Sequence, residues 1–447
     1  MERKARNARK ALARVLPEGI VKLLARVGTK AVGAGAGAYA VGGMVRDAIL
    51  NRKNIDLDIV ITGDAVSLGR TLAKDLRGSV VAHNRFKTAA VVFEREKKRY
   101  KIDLATARKE YYARPAALPE VSRGTLRDDC ARRDFTINAM AVDLNPGRFG
   151  RLIDHCGGMD DIRRGTVRVM HDRSFSDDPT RIFRAVRFEQ RYGFSIERHT
   201  GTLMKRAIRS GAIARTSKDR IRNELVLILK EDDPFRALAR LEKLGALKYI
   251  DTSIGIGGGS RRLFREIKKI CAWFRRLRSY GEEPNEWLVY FMGLMGCLPS
   301  GVVARICGSA ALKRSDALKV TSYALHAARI MRTLGRSKNI PASAVYRMLE
   351  PVSTDGALAI YSRSRSAAAR RRVREYLRKG KNTRLSIGGR DLKKLGLEPG
   401  PGYKKVLDQI LDRKLDGAIA SAGQEMKTAG DIIRKRRIGR QENGPRQ

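Results

Sequence analysis

Acidic residues are in short supply in this chain. Its 447 residues carry 47 Asp and Glu against 93 Lys and Arg, a formal charge of +46. So basic a chain repels itself and is expected to meet a polyanion. Nucleic acid is the first expectation for the partner, and an anionic membrane surface the second. Cysteine is scarce as well. The five (Cys130, Cys156, Cys271, Cys297 and Cys307) form no Cys-x-x-Cys pair, so no zinc site is signalled. Their odd number and wide spacing suit a reducing, cytoplasmic setting better than a disulfide scaffold. Histidine numbers only five, and His171-Asp172 has no companions at metal-ligand spacing, which excludes a metal phosphohydrolase domain. Long apolar runs are missing too. Residues 287–307 are interrupted by Gly293, Gly296, Pro299, Gly301 and Arg305, and read as buried helices joined by a turn rather than a membrane span. The Arg/Lys-rich start imitates a transit peptide, but Glu2, Glu18 and the lack of a serine-rich stretch favour an amphipathic lead-in helix.

What is present changes texture along the chain. Residues 1–30 read as helical. Short β-rich runs then appear at 38–41, 56–61, 79–82, 88–93, 100–104 and 139–144, with helical patterns at 65–76 and 133–138 between them. This predicts an α+β domain. Residues 105–127, with Pro115 and Pro119, read as a long loop. From Pro179 onward the pattern is helical, with Gly193, Gly211, Gly245 and Gly308 as stops. The glycine-rich run 254–260 reads as a linker. Residues 363–381 hold nine Lys/Arg against Glu375 alone, a solvated helix face or a backbone-contact patch for nucleic acid. A last basic segment spans 434–440.

Three blocks carry chemistry. In the first, Gly42-Gly43 lies between a strand and a helix containing Arg46 and Asp47, where backbone amides approach a phosphate closely. Asp56-x-Asp58 follows on the next strand. Alternation puts both carboxylates on one face, as Mg²⁺-assisted phosphoryl transfer requires. Asp103 ends a further strand and offers a third carboxylate. In the second block, Arg132, Arg133, Asp134 and Asn138 fall within two predicted helical turns, able to clamp phosphates and bond a ribose hydroxyl, or to form a surface ion-pair cluster. In the third, Pro179 reads as the first residue of a helix with Asp178 as its N-cap. A carboxylate and the guanidinium of Arg181 one turn on can also imitate a template base, accepting cytosine or adenine and rejecting uracil and guanine. Arg184, Arg187 and Arg191 continue along that helix.

These blocks, with Asp154-x-x-Gly157-Gly158-x-x-Asp161 and Asp219-Arg220-Ile221-Arg222-Asn223-Glu224-Leu225, occur in the order seen in bacterial-type (class II) tRNA nucleotidyltransferases. The chain thus resembles CCA-adding enzymes of the poly(A) polymerase-like family, polymerase-β superfamily, over about residues 38–417. The resemblance implies a nucleotidyltransferase head of mixed sheet and helices, followed by an all-α neck, body and tail in a seahorse-like arrangement. The implied division is a lead-in at 1–30, head 31–163, neck 164–253, body 254–345 and tail 346–447. It implies Mg²⁺ on Asp56 and Asp58, catalysis by these with Asp103, and nucleotide contacts from Gly42, Gly43, Arg46, Arg132, Arg133, Asp134 and Asn138. Asp178 and Arg181 would select CTP and ATP, with Arg184 and Arg187 nearby on the triphosphate. The partner implied is tRNA, gripped at its acceptor end and elbow. Residues 105–127 match the family's flexible loop, which helps switch from C to A addition, and Asp154 opens a hinge-like block.

The chain departs from the family pattern at two positions. Asn51 replaces a usual glycine, and Asn tolerates the left-handed turn. Asp177 replaces a usual glutamate. The loop version is shared by CCA-, CC- and A-adding enzymes, so both half-pathway activities stay open beside CCA addition. A poly(A) polymerase expects a Gly-Arg-Arg-Phe stretch where this chain has His83-Asn84-Arg85-Phe86, a poor match. A non-enzymatic RNA-binding protein has no need of the intact Asp56/Asp58 pair.

Overall fold

In the computed structural model, residues 8–117, 119–277, 282–296, 298–336 and 339–442 are described, with side chains up to 435. Residues 1–7 of the lead-in, Leu118, Cys297 and the side chains of 436–440 in the last basic segment lie outside the described residues. Two compact units result: residues 1–224 with 243–249, and residues 225–242 with 250–447.

The first unit opens with the expected lead-in, split by Pro17 into α1 (Ala8–Val15) and α2 (Glu18–Gly33). Then come β1 (Ala38–Val41), α3 (Gly43–Ile49), β2 (Leu57–Ile61), α4 (Ala65–Asp75), β3 (Ser79–His83), β4 (Thr88–Arg95) and β5 (Lys98–Thr106). The α4 helix starts where Asp64 accepts the amides of Val66 and Ser67, satisfying donors that a helix start leaves open. Next are β6 (Arg108–Tyr111), β7 (Glu120–Arg123), α5 (Leu126–Ala131), β8 (Met140–Asp143), β9 (Leu152–Asp154), α6 (Gly158–Arg164), β10 (Thr166–Val167), α7 (Ser174–Asp177), α8 (Arg181–Tyr192), β11 (Ser195–Ile196), α9 (Arg198–Arg209) and α10 (Lys218–Leu229). One sheet runs β3-β4-β5-β2-β1-β8-β9. Its pairs are antiparallel except β2 with β5, which is parallel and sets Asp58 beside Asp103. Side chains alternate: Leu57, Ile59 and Ile61, Ile102 and Leu104, and Ala89, Val91 and Phe93 are buried on one face, while Asp58, Asp103 and Ala90 lie on the other. Asn51 does adopt the left-handed turn, with φ 55.

Several local expectations are corrected. Residues 105–127 are no loop; β6 pairs with β7 as an antiparallel hairpin. Residues 132–138 do not form two helical turns. Phe135 is fully buried in an extended bridge to Val169, and only Thr136–Asn138 make a single 3-10 turn. Burying that ring outweighs local helix preference. Asp56 lies one residue before β2 rather than on it. α8 starts at Arg181, not Pro179. The N-cap is Thr180 rather than Asp178; Asp178 sits between α7 and α8 and accepts the amide and hydroxyl of Thr180. Gly308 lies inside a helix; Gly193, Gly211 and Gly245 do follow helix ends with positive φ.

The second unit is helical: α11 (Pro234–Lys243), α12 (Ser260–Arg276), α13 (Glu286–Met295), α14 (Ser300–Ser309), α15 (Arg314–Arg336), α16 (Ala342–Leu349), α17 (Thr354–Arg363), α18 (Ala367–Arg378), α19 (Gly389–Lys394), α20 (Pro401–Leu415) and α21 (Ala422–Glu442). The apolar stretch 287–307 forms α13 and α14 joined by a turn, as expected. No described helix is long and apolar enough to cross a membrane. The 254–260 run is the irregular segment before α12. In the basic run 363–381 some arginines turn inward: Arg370 pairs with Glu266, buried Arg372 donates to the Leu334 carbonyl, and Arg374 lies over Trp273.

Gly28 in α2 faces the end of β8. A Cβ there would lie 1.8 Å from the Leu144 carbonyl oxygen. Alanine gains about 1 kcal/mol of helix propensity over glycine, but the collision with backbone costs about 1–3 kcal/mol or more. Gly28→Ala is therefore expected to lower the urea midpoint of the full chain. A midpoint equal to or above wild type would show that α2 is free to shift.

Candidate active site

The turn between β1 and α3 is the start of the site. Gly42 has φ 71 and ψ −133, a conformation glycine adopts without penalty. A Cβ on it would sit 2.9 Å from Arg133 Nη1 and 3.9 Å from Asp58 Oδ2. Bare backbone, a guanidinium and a carboxylate thus converge from sequence blocks about ninety residues apart.

The carboxylates crowd one another. Asp58 and Asp103 are register partners on β2 and β5. Burial, then the charges of Asp103 and Asp56, push the Asp58 carboxyl up to about 6, against the pull of Arg133 and Lys101. Asp103 is half exposed and pairs with Lys101 at 2.7 Å. Asp56 is exposed; its amide is held by the Asn54 side chain at 2.9 Å, and its carbonyl accepts the Asp58 amide at 3.2 Å. Among the described residues no three His, Cys, Asp or Glu side chains form a ready-made metal cage. The donor set nonetheless fits a hard dication such as Mg²⁺. Such an ion takes one or two carboxylates beside phosphate and water, and would offset the burial and neighbouring negative charge that raise Asp58. A cavity of about 350 Å³ is lined by Asp58, Asp103, Arg132 and Arg133 together with Val41, His83 and Thr88. A larger one of about 700 Å³ lies in the second unit; it is lined by Arg262, Arg363 and Arg370 but by no acidic side chain.

Buried acids aim the arginines. Asp129, fully buried, accepts Arg132 at 2.7 Å and Arg133 at 2.9 Å. Glu110, on β6, takes Arg132 at 2.9 Å and the Tyr112 hydroxyl at 3.2 Å. Arg133 keeps a buried Nε with no hydrogen-bond partner among the described residues, while its Nη1 lies beside Gly42. Asp134 is buried and holds Arg184 at 2.6 Å and the Asn138 amide at 2.9 Å. Burial opposes its charge, but Arg184 and Asn138 outweigh this and draw its carboxyl down to about 2. Arg184 also meets Glu224 at 3.2 Å, and Asp134 pushes its pKa upward. Arg187 is buried, 3.6 Å from Glu224. Arg181 donates to Ser174 Oγ at 2.7 Å and to the Arg132 carbonyl at 3.0 Å, while Asp178 pairs with Arg220 at 2.7 Å.

Arg46 departs from the expected reach toward an anion. It is 3% exposed, forked onto Asp47, bonded to the Asn138 side-chain oxygen, and lies 5.0 Å from the Phe188 and 4.7 Å from the Tyr192 ring centroid. Asp47 in turn accepts Asn54 at 2.7 Å and Tyr192 at 2.9 Å. This chain ends on the Asp56 amide, so Arg46 supports the turn and the first aspartate from inside. Asp154 accepts the amides of Cys156, Gly158 and Met159, and Asp161 holds Thr136 and Arg168, fixing the start of α6 against the 3-10 turn. Sequence reading missed Asn54, Glu110 and Asp129 as positioning residues. Asn54 had a signal in its place two residues before Asp56, where Asn side chains bond the backbone.

Mixed sheet, glycine turn and carboxylate pair together define a nucleotidyltransferase of the polymerase-β type. Residues 38–168 match the Poly A polymerase head domain, and residues 193–251 the "Probable RNA and SrmB- binding site of polymerase A". The A-adding tRNA nucleotidyltransferase of Geobacter sulfurreducens is 37% identical over 93% of this chain, which spans about half (47%) of that protein's length. The A-adding tRNA nucleotidyltransferase of Halalkalibacterium halodurans is 30% identical over 92% of both chains. The Thermotoga maritima CCA-adding enzyme complexed with tRNA is similar in structure, with TM-score 0.70 and 31% identity over 96% of this chain and 99% of that one. The chain belongs to the tRNA nucleotidyltransferase family.

Asp58 is shifted from an ordinary 3.8 to about 6, so the fold favours its protonated form. Ionised Asp58 therefore costs stability that is absent below the unfolded value, grows across the window from about 4 to 6, and persists above it. Without metal, Asp58→Asn is expected to melt above wild type at about pH 8 and level with it below about pH 4. Thermal unfolding in chelator at both pH values checks this; a lower melting point for the variant at pH 8 contradicts it.

Proposed function

We propose that this chain adds CCA to the 3′ end of tRNA, without a nucleic-acid template, from CTP and ATP in the reducing cytoplasm. The observation that carries the reading is that Asp58 and Arg133, which line one cavity, converge on the bare backbone of Gly42. Phosphate binding needs close backbone and a cation, and nucleotidyl transfer needs paired carboxylates beside them. Mg²⁺ held by Asp56 and Asp58 would neutralise phosphate charge and lower the pKa of the attacking 3′ hydroxyl. Gly42 and Gly43 admit the triphosphate to the backbone, and Arg133 contributes the guanidinium whose Nη1 lies beside Gly42. Arg132 and Asp134, fixed by Asp129 and Arg184, hold the shape of this wall. Asn138, bonded to Arg46 and Asp134, is set for a ribose hydroxyl. Asp103 stands beside Asp58 as the third carboxylate. Asp178 and Arg181 exchange their present partners for the edge of cytosine or adenine, and uracil or guanine leaves buried groups unpaired at about 1–3 kcal/mol each. Arg184 and Arg187 brace that helix through Glu224 near the triphosphate.

A second reading, addition of the terminal A alone, is favoured by the names of the two relatives that align over 92–93% of this chain. Purified protein with Mg²⁺ and tRNAs ending before CCA, after C or after CC separates the two. Growth of the shortest tRNA to full CCA with CTP and ATP is the expected outcome. Extension of the CC-ended tRNA alone, by one A, supports the second reading; arrest after CC points to the other half-pathway, and long A-tails to a poly(A) polymerase. Bound tRNA with no extension at all would remove the enzyme reading. Gly42→Ala forces a strained φ and meets Arg133, so nucleotide transfer (kcat/KM) is expected to fall about 100-fold, with tRNA binding by filter assay retained. An unchanged rate would show that the turn does not carry the phosphate.

A further inference from the structure

The sheet face that carries Asp58 continues beyond the carboxylates. Register sets Asp58 beside Asp103, Asp103 beside Ala90, and Ala90 beside Val81. Two residues along, the next row runs Val60, Ala105, Thr88 and His83. Both rows lie on one face, because side chains alternate. The opposite face is packed, whereas here Ala90, Ala105 and Thr88 are half-buried and Val81 is 54% exposed. The result is a shallow floor of small side chains opening outward from the site.

A 3-10 turn at Asn84–Phe86 stands at the end of this floor, joining β3 to β4 and closed by Lys87 at φ 49. Phe86 is 53% exposed, and the Arg85 guanidinium lies 5.7 Å from its ring centroid. The residues flanking the turn, His83 and Thr88, line the same cavity as Asp58 and Asp103. An aromatic ring left half in water, with Arg85 near it and Lys87 next in sequence, buries little apolar surface but suits nucleobases. Stacking on an aromatic side chain serves any base, and cations follow the attached phosphates.

We propose that this shelf, from Ala90 and Ala105 out to Phe86, seats the unpaired bases just before the 3′ end of the acceptor RNA. Phe86 is the stacking partner, and Arg85 and Lys87 are the phosphate contacts. The proposal rests on nucleotide transfer at Asp58, since the reacting 3′ hydroxyl must reach that carboxylate and the bases behind it then need a surface continuous with it.

Phe86→Ala is expected to raise KM for CC-ended tRNA about tenfold, with the change falling on KM for tRNA rather than KM for ATP. Phe86→Trp is expected to restore it, and its added indole fluorescence to be quenched by an RNA ending in unpaired CC, measured against wild type, whose signal comes from Trp273 and Trp287. Quenching reads the shelf whether or not transfer occurs, so quenching without transfer would count against the catalytic reading alone. A rise in KM for ATP instead would assign the shelf to the incoming nucleotide and overturn the proposal. No quenching, with transfer intact in all variants, would overturn it too.

Discussion

Repulsion between Asp58 and Asp103 is the constraint on which the catalytic half of this molecule turns. Two carboxylates held side by side by strand register cannot relax apart, because β2 and β5 are bonded along their length and packed on the other face. Burial first, and the charge of Asp103 after it, raise the pKa of Asp58. Arg133 is close enough to offset it in part, and Gly42 leaves room for that guanidinium. On the proposed function, a polyphosphate arriving with its metal would complete a charge balance that the protein alone leaves unfinished.

The scarcity of acids gains meaning from where they lie. In the first unit several buried or half-buried carboxylates around the site hold one or more arginines: Asp47 holds Arg46, Asp129 holds Arg132 and Arg133, Asp134 holds Arg184, Glu224 holds Arg184 and Arg187, and Asp178 holds Arg220. An unsecured arginine near a polyanion has many rotamers; one forked onto a buried acid has few. The surplus of positive charge is therefore of two kinds, an outer one for long-range attraction and an inner one fixed in direction.

The strands of the head were legible because each alternates: β1, β3, β4 and β5 fall within a few residues of their expected bounds. The β6–β7 hairpin was hidden because it buries no apolar face; Arg108–Tyr111 and Glu120–Arg123 are rich in charge. The segment around Phe135 misread as helix because its extended bridge depends on Val169, distant in sequence. Asp58, Arg133 and Gly42 were readable as types with a purpose. Asp129 and Glu110 were not, since a carboxylate that aims an arginine looks in sequence like any surface acid. Arg46 was legible as important and misread in direction, because the two aromatic rings over it come from α8.

The parallel pairing of β2 with β5 has a bearing on how the molecule comes into being. Antiparallel neighbours join through short turns, but a parallel partner needs intervening chain, here α4, β3 and β4. Asp58 meets Asp103 only after that excursion closes, and Arg133 arrives later still. A nascent chain halted before residue 133 holds the glycine turn and the aspartates but not the group that restrains their charge. The arrangement thus depends on a long-range contact rather than a local one. On the ribosome, the motifs alone would therefore be incomplete until the strands that hold them, and Arg133, have left the tunnel.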